Sequence, residues 1–271
     1  MPIPDEVLAP LTRTERLAVQ LAWSANAGRI GRWLSTFERV VSPHVVGLFA
    51  GRGTQLRGLS HVMATDPARP VLLVANHRSW FDLPVVARAL CLHTDRVRAM
   101  QFPVRGRFFY QDLRGIAVNA LASQFAMFPP FFTRGETRDF DRWALEHLAM
   151  LCRDGAGRFV GFHPEGRRNR DADEWSLLPA QPGIGQLIHM ARPQVVPVWI
   201  AGLSNDVGAQ IRANWRGTPP PRVRFGGALD LTSLCDTPPR LRSYAAISSA
   251  VMEGIAAVGV AERAEVEAPP G

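Results

Sequence analysis

The sequence predicts an α/β domain with a mostly parallel central sheet flanked by helices, preceded by an amphipathic N-terminal helical segment. Short β-branched runs typical of buried strands alternate with amphipathic helical segments, and 271 residues suffice for a sizeable core. A composition with 46% hydrophobic and 20% charged residues excludes wholesale disorder. The predicted organisation is a helical segment over residues 1–60, an α/β domain over 61–262 and a frayed tail over 263–271.

The N-terminal segment is predicted to contain a basic amphipathic helix. Thr12 and Glu15 have the T-x-x-E spacing of a capping box, and Ser42 and Pro43 predict the end of the helix at residue 41. Arginines lie among apolar residues at helical spacing, a pattern typical of helices that lie on a membrane surface. Packing on the main domain is the alternative, and the sequence leaves both open. The apolar stripe consists of Ile30, Trp33, Leu34, Phe37 and Val41.

From about residue 70 onwards, predicted strands and helices alternate, which favours a largely parallel sheet. Prolines inside two strands, Pro129 and Pro130 in one and Pro197 in the other, indicate a sheet edge, a bulge or a position beside a ligand. Strands are predicted over residues 71–75, 96–102, 125–133, 157–162, 195–200 and 222–225, and helices over 81–92, part of 105–122, 140–152, 184–192 and 244–258.

The charge pattern indicates partners that carry phosphate or carboxylate groups. The net charge is +7, and all 31 basic residues are arginine, whose guanidinium binds such groups bidentately. Nucleic acid, anionic lipid and a phosphorylated small substrate all fit this charge. The arginines are spread along the chain without a recognisable binding motif, and two tyrosines offer little base stacking, so no nucleic-acid partner is predicted.

Cysteine usage and the N-terminal sequence predict a cytoplasmic, peripheral protein. The three cysteines are widely spaced and form no C-x-x-C pair, which argues against a disulfide framework or a structural zinc site. The first ten residues lack the basic and apolar regions of a secretory signal. The sequence has no uninterrupted apolar run of the roughly 18 to 20 residues that a spanning helix needs.

The segment Asn76-His77-Arg78-Ser79-Trp80-Phe81-Asp82 directly follows the strand predicted over 71–75. Functional groups in α/β folds commonly follow strand ends. A turn between His77 and Asp82 would bring the carboxylate to one imidazole nitrogen and leave the other free as a base. A histidine close to an aspartate is usually structural, so these two residues alone favour a structural role over catalysis.

A second loop, Phe162-His163-Pro164-Glu165-Gly166-Arg167-Arg168-Asn169-Arg170, follows the strand predicted over 157–162. Its Pro and Gly predict a tight turn, and its arginines and backbone N–H groups could bind a phosphorylated, hydroxylated substrate. A solvated charged loop is the alternative. Arg134 is a lone cation after Pro129-Pro130-Phe131-Phe132-Thr133, and Val196-Pro197-Val198 forms part of an apolar strand.

In order and spacing these four segments resemble the glycerophospholipid acyltransferase family, the lysophosphatidate-acyltransferase-like group with an N-H-x4-D box. The resemblance covers roughly residues 70 to 202. It departs from the family pattern at His163, Arg167 and Asn169, which leaves the acceptor head group open. The matching positions are Asn76, His77 and Asp82 in the first box, Arg134 in the second, Pro164, Glu165, Gly166 and Arg168 in the third, and Val196, Pro197 and Val198 in the fourth.

The resemblance implies that His77 is the general base, oriented by Asp82, for attack of a lysolipid hydroxyl on an acyl thioester. It implies an acceptor and phosphate pocket of Arg134, Glu165, Gly166 and Arg168, with Asn76, Ser79, Pro164 and Pro197 in support. The donor would be acyl-CoA or acyl carrier protein, and no cofactor or metal is expected. His163 is expected to be a substrate contact or a surface residue rather than a third metal ligand. The expected acyl-groove wall is the stretch 120–132.

The substrates and basic helices imply a peripheral location on the anionic inner face of the cell membrane. Two alternatives stay open. The acceptor could be a lyso-ornithine lipid or a lysophospholipid with a larger head group. The chain could instead be a basic protein that binds nucleic acid or lipid without catalysis. A hydrolase is disfavoured because the sequence has no G-x-S-x-G motif.

Overall fold

The computed structural model describes residues 2–153, 155–216 and 220–268. Within them, six strands form a mixed sheet in the order β1-β8-β7-β2-β6-β3, in which only the β7–β8 pairing is antiparallel. The predicted α/β architecture with a mostly parallel sheet is therefore confirmed. The sheet strands are β1 (Gln55–Arg57), β2 (Val71–Ala75), β3 (Ala99–Gln101), β6 (Arg158–Phe162), β7 (Gln194–Ala201) and β8 (Arg222–Phe225), while β4 (Val104–Arg105) and β5 (Pro130–Phe131) form a separate parallel pair.

Helices cover both faces of the sheet. Successive side chains of a strand point to opposite faces, so Leu73 of β2 joins one apolar core and Leu72 joins the other. The helices are α1 (Asp5–Leu8), α2 (Arg13–Asn26), α3 (Gly28–Phe49), α4 (Leu59–Met63), α5 (Asp82–His93), α6 (Gly106–Phe109), α7 (Leu113–Ser123), α8 (Arg138–Leu151), α9 (Gly183–Ala191), α10 (Val207–Arg216), α11 (Thr232–Cys235) and α12 (Leu241–Glu267).

The predicted N-terminal helix is two helices, and its predicted end is wrong. The Thr12–Glu15 capping box begins α2 as expected, but the chain turns at Gly28, where φ is +56°, and α3 then continues through Pro43 to Phe49. An interior proline costs about 3 kcal/mol because it removes a helical hydrogen bond. Packing of α3 on α5 offsets this cost: Pro43 is buried, and its carbonyl accepts a hydrogen bond from Arg88 of α5.

Two further boundaries differ from the prediction. The sheet begins at β1, which pairs with β8, so the predicted boundary after residue 60 cuts off its first strand. The tail predicted to fray from 263 is helical up to Glu267, and residues 269–271 lie outside the described part. Ion pairs rather than apolar spacing hold this end of α12: buried Glu262 contacts Arg57 and Arg224 at 2.8 Å each.

The proline-containing strands also differ from expectation. Of the strand predicted over 125–133, only Pro130–Phe131 is extended and paired, in the small second sheet. Pro197 is not at an edge, because β7 lies between β2 and β8. Its carbonyl accepts from Gly226 just after β8 ends, so its missing N–H falls at the end of the antiparallel pairing and interrupts no bond within it.

One described helix, α12, is long and apolar enough by length and composition to cross a membrane, with a mean hydropathy of 1.5 over its most apolar window. Its apolar face supplies Ile247, Val251 and Ile255 to the core beside α9 and β7. In this fold α12 is thus a packing element of the α/β domain.

Candidate active site

The first two predicted motifs meet at the carboxyl edge of the sheet. Strands β2 and β6 are parallel neighbours, with Val74 opposite Phe162, so the segments that follow them leave the sheet side by side. His77 comes two residues after β2, and His163 directly follows β6. This edge is where open α/β folds place their ligands.

Asp82, the first residue of α5, orients the imidazole of His77. One carboxylate oxygen, Oδ2, lies 2.9 Å from His77 Nδ1 and also accepts the backbone N–H groups of Arg78 at 2.7 Å and Ser79 at 2.8 Å. Because an ionised carboxylate only accepts, Nδ1 must carry the proton in this contact. The lone pair of His77 therefore lies on Nε2, the nitrogen that a base needs.

The surroundings keep His77 uncharged. Burial lowers the pKa of His77 to about 3, and the positive charges of Arg168 and then Arg105 act in the same direction. Burial raises the pKa of Asp82 to about 6, against the interaction with His163 and the Ser79 and Arg78 hydrogen bonds, which lower it. At neutral pH the pair is thus a neutral imidazole beside an ionised carboxylate. Asp82 is buried, whereas 22% of the His77 side chain is exposed.

His163 is not a surface residue, and its expected contact with a substrate stays a prediction. Its half-buried ring stacks on that of His77, with centroids 3.9 Å apart and planes 9° from parallel, and its Nδ1 lies 3.0 Å from the Ala75 carbonyl. The stacked ring thus supports the imidazole of His77. Burial lowers the pKa of His163 to about 3, with His77 adding to the effect.

His77, Asp82 and His163 form the one group of potential metal ligands found among the described residues. Imidazole lone pairs lie in the ring plane, and those of two stacked parallel rings do not converge on a point between them. The arrangement therefore fits a stacked base better than a coordination site. The expectation of no metal stays a prediction.

Glu165 fixes the backbone of His77. One oxygen accepts the His77 N–H at 2.7 Å, and the other accepts the N–H of Leu178 at 2.8 Å. The carbonyl of His77 accepts from the N–H of Asn169 at 2.7 Å. Glu165 is 1% exposed, and each of its oxygens accepts a backbone N–H; its predicted place in the acceptor pocket stays a prediction. Asn169, noted in the sequence only as a departure from the family pattern, holds the other side of His77.

The remaining third-box positions shape the turn and supply a cation. Gly166 has φ +66°, and a Cβ there would lie 2.8 Å from Gln181 Cγ, so glycine suits this turn. Pro164 is buried in the same turn, and its carbonyl accepts from the Gln181 N–H at 2.8 Å. Arg168 lies over the Trp80 ring, 3.8 Å from the centroid, and donates to Asn205.

Asn76 and Ser79 connect the His77 loop to β7 and the segment after it. The Asn76 side chain exchanges two hydrogen bonds of 2.8 Å with the backbone of Ile200 and so extends the β2–β7 pairing. The Ser79 hydroxyl donates to the Ser204 carbonyl at 2.7 Å. Pro197 belongs to the same β7 strand, paired with Val74. These predicted supporting residues are therefore brought together around the His77 loop.

Arg134, predicted as a phosphate ligand, forms ion pairs with two glutamates. Its guanidinium contacts the buried carboxylate of Glu15 at 3.0 Å and Glu136 at 3.5 Å. These contacts join the segment after β5 to α2, and the charge of Arg134 is largely neutralised by Glu15. The cation that the sequence did not identify is Arg105, exposed on β4, which acts on the pKa of His77. Arg105 lies here because β4 follows the carboxyl end of β3, which is parallel to β6 and ends at the same edge of the sheet.

A cavity of about 380 Å³ opens beside this site. We call it the α3–α5 cavity, because these two helices together supply about half of its lining residues. Trp80 and Phe81 line it next to His77, and the wall is otherwise mostly apolar. Of the stretch 120–132, predicted as the acyl wall, Ser123 and Met127 contribute.

Comparison with known proteins assigns the chain to a family. A family model described as Acyltransferase matches residues 55–201, more than half of the chain. The chain belongs to the acyltransferase family. A comparison with curated proteins found no match. Among solved structures, the chain is similar to the 1-acyl-sn-glycerophosphate (LPA) acyltransferase PlsC from Thermotoga maritima. The identity is 13%, the match covers 94% of this chain and 96% of that one, and the TM-score is 0.48.

Proposed function

We propose that this acyltransferase moves a fatty acyl group from a thioester, acyl-CoA or acyl carrier protein, to the free hydroxyl of lysophosphatidate or a related lysolipid. The observation that carries the proposal is the His77–Asp82 pair with a neutral imidazole, two cations nearby and an apolar cavity beside it. These parts match a substrate with a hydroxyl, a phosphate and a hydrocarbon chain.

The reaction uses the substrate oxygen as the nucleophile. Nε2 of His77 takes the proton of the acceptor hydroxyl while the oxygen attacks the thioester carbonyl. The tetrahedral intermediate then expels the thiolate, and the imidazolium returns the proton to it. Asp82 stabilises the imidazolium, as the aspartate of a serine triad does. A base positioned in this way contributes about 100- to 10,000-fold to the rate.

Arg168 and Arg105 are the proposed phosphate ligands of the acceptor. Arg168 is held by Trp80 and Asn205, so it is preorganised, while Arg105 is exposed and free to move onto a ligand. Both are close enough to His77 to lower its pKa. Arg134, predicted for this role, is proposed to position α2 instead, because binding a phosphate would require it to leave Glu15.

The α3–α5 cavity is proposed to hold the acyl chain, and the outer face of α2 and α3 to rest on an anionic membrane. Ligand cavities of about 300 to 1,000 Å³ with mostly apolar walls are typical of small-molecule sites. The outer face combines exposed arginines with large exposed apolar side chains, as membrane-surface helices do. The protein would then be peripheral on the inner face of the cell membrane. The exposed apolar residues are Leu17, Leu21, Ile30, Trp33, Phe37 and Val40.

The test is thiol release and lipid product formation by the purified chain, given lysophosphatidate and an acyl-CoA. We expect His77→Ala to abolish both, whereas His93→Ala, a matched exposed histidine at the end of α5, should leave them unchanged. Wild-type protein that forms no acylated lipid from lysophosphatidate, but acylates a lyso-ornithine lipid or another lysophospholipid, would replace the acceptor and keep the reaction. Full activity in His77→Ala would refute the proposed base.

Membrane contact has a separate test. Vesicles that contain anionic lipid should sediment the wild-type chain at low salt. The double variant Ile30→Ser with Trp33→Ser should remain largely in the supernatant, because both side chains are more than 60% exposed and support no core packing. Equal sedimentation of the two proteins would refute this part of the proposal. Binding to duplex DNA that survives His77→Ala, without any lipid product, would instead favour a nucleic-acid-binding protein.

A further inference from the structure

The wall of the α3–α5 cavity is mostly apolar, and one face of α3 contributes three of its polar side chains. Ser35, Glu38 and Ser42 follow one another at spacings of three and four on α3, so they share one helix face, and all three line the cavity. The Ser42 hydroxyl donates a hydrogen bond to Oε1 of Gln124. Glu38 has no hydrogen bond or ion pair among the described contacts, although Arg39 also lines the cavity. An unpaired carboxyl in an apolar ligand cavity points to a polar group on the ligand.

The opposite wall of the cavity shows how far Glu38 lies from the His77–Asp82 pair. Pro84, Ala87 and Cys91 line the cavity along one face of α5, which begins at Asp82. α3 runs antiparallel to α5, because Gly51 just after α3 lies beside Val85 and the Pro43 carbonyl accepts from Arg88. Glu38, five residues before Pro43, therefore lies near the far end, towards Cys91. Nine residues of helix from Asp82 to Cys91 span about 13.5 Å. An extended chain advances roughly 1.25 Å per carbon–carbon bond, so Glu38 lies at about the tenth to twelfth carbon of an acyl chain.

The chemistry of Glu38 favours a hydroxyl over plain hydrocarbon at that depth. Burial raises the pKa of Glu38 to about 8, so at neutral pH its carboxyl mostly keeps its proton and can both donate and accept. A hydrocarbon segment that passes this carboxyl excludes water and leaves it without a partner, which is costly. A hydroxyl on the chain replaces the lost water at both hydrogen-bonding positions.

We propose that Glu38 is a specificity-determining residue that selects an acyl chain carrying a hydrogen-bonding group, a hydroxyl, near its tenth to twelfth carbon. This inference rests on the proposed function, which assigns the cavity to the acyl chain. It adds the class of acyl donor that the transferase prefers.

The experiment compares acyl-CoA thioesters of one chain length that differ only in a hydroxyl. One is unsubstituted, one carries the hydroxyl at roughly the tenth to twelfth carbon, and one carries it beside the thioester carbonyl. The ratio of kcat/KM for the mid-chain hydroxyacyl donor to that for the unsubstituted donor is measured in wild type, Glu38→Leu and Glu38→Gln. Glu146→Leu, at an exposed glutamate of α8 that does not line the cavity, is the control.

We expect the ratio to fall about tenfold in Glu38→Leu, the worth of one hydrogen bond made in a desolvated site. Glu38→Gln keeps a donor and an acceptor and should retain most of the preference, as should Glu146→Leu. An unchanged ratio in a folded Glu38→Leu, or a change only in the preferred chain length, would overturn the inference.

If the Glu38→Leu variant does not fold, the donor preference of the wild-type enzyme tests the inference by itself. The mid-chain hydroxyl must then be preferred over the hydroxyl beside the carbonyl, and equal use of the two overturns the inference. Transfer of all the donors without discrimination would sink this inference and leave the proposed function standing. No consumption of any thioester would mean that the proposed function has failed, and the inference with it.

Discussion

Replacing Asp82 by asparagine separates the charge of this residue from its hydrogen bonding. Three donors converge on Oδ2: Nδ1–H of His77 and the backbone N–H groups of Arg78 and Ser79. In Asp82→Asn the amide oxygen should take the position of Oδ2, because the two backbone donors cannot rotate away. His77 would then keep its Nδ1–H tautomer, and only the negative charge would be lost.

The expected loss follows from this geometry. A hydrogen bond to a charged partner contributes about 1.5 to 3 kcal/mol, and one to a neutral partner about 0.5 to 1.5 kcal/mol. Loss of the charge should therefore cost about 1 to 2 kcal/mol in the transition state, roughly a 5- to 30-fold reduction in kcat/KM. An asparagine that forces the wrong histidine tautomer, as in the serine protease triad, lowers kcat about 10,000-fold.

The assay is kcat/KM from thiol release at saturating acceptor, with Asp82→Ala and Asp141→Asn alongside. Asp82→Ala loses orientation as well as charge and should fall by about 1,000-fold or more. Asp141 likewise accepts two backbone N–H groups, from Phe132 and Thr133, but lies outside the site, so its asparagine variant should keep wild-type activity. An Asp82→Asn variant as inactive as Asp82→Ala would refute the argument that Oδ2 fixes the tautomer.

Three other predictions follow from the same contacts. Because the pKa of Asp82 is raised to about 6, its charge is present above that pH and lost below it, so kcat/KM should fall as pH drops through 6, and a profile flat down to pH 5 would contradict this. Arg168→Gln should raise the KM for lysophosphatidate at least tenfold and leave the KM for the thioester nearly unchanged, whereas equal effects on both would argue against a phosphate ligand. Glu262→Ala leaves Arg57, Arg222 and Arg224 without their shared buried partner. The variant should lose about 2 to 3 kcal/mol of unfolding free energy in urea titrations, less than a fully buried pair because these arginines are partly exposed.

The sequence predicted the central pair of the site because the two residues are only five positions apart. A turn after a strand sets the His77–Asp82 contact, so local geometry suffices. The loops after β2 and β6 lie side by side for a similarly simple reason, since neighbouring parallel strands end at the same edge of the sheet.

Contacts between distant segments could not be predicted in the same way. Glu165 and His77 are 88 positions apart, and no spacing in the sequence indicated that the Glu165 carboxylate accepts the backbone N–H of His77. Arg134 reaches Glu15 across 119 positions, which no spacing rule reveals. The stacking of His163 on His77 depends on the register of β2 with β6.

The helix boundaries failed where tertiary contacts outweigh local preference. Proline at position 43 and the charged end of α12 both lower helix expectation in isolation. Packing on α5 in the first case, and the ion pairs of Glu262 in the second, supply what the local sequence lacks. Such contacts are visible only once the sheet order is known.

The claim that His77 acts directly on the acceptor hydroxyl is tested most directly by mixing the enzyme with an acyl-CoA in the absence of any lysolipid and following thiol release. With no protein nucleophile, we expect no rapid release of thiol equivalent to the enzyme and no acyl group on the protein by mass spectrometry. Addition of lysophosphatidate should then start release that matches ester formation. A burst of one thiol per enzyme molecule before the acceptor is added, with an acylated protein, would contradict the account.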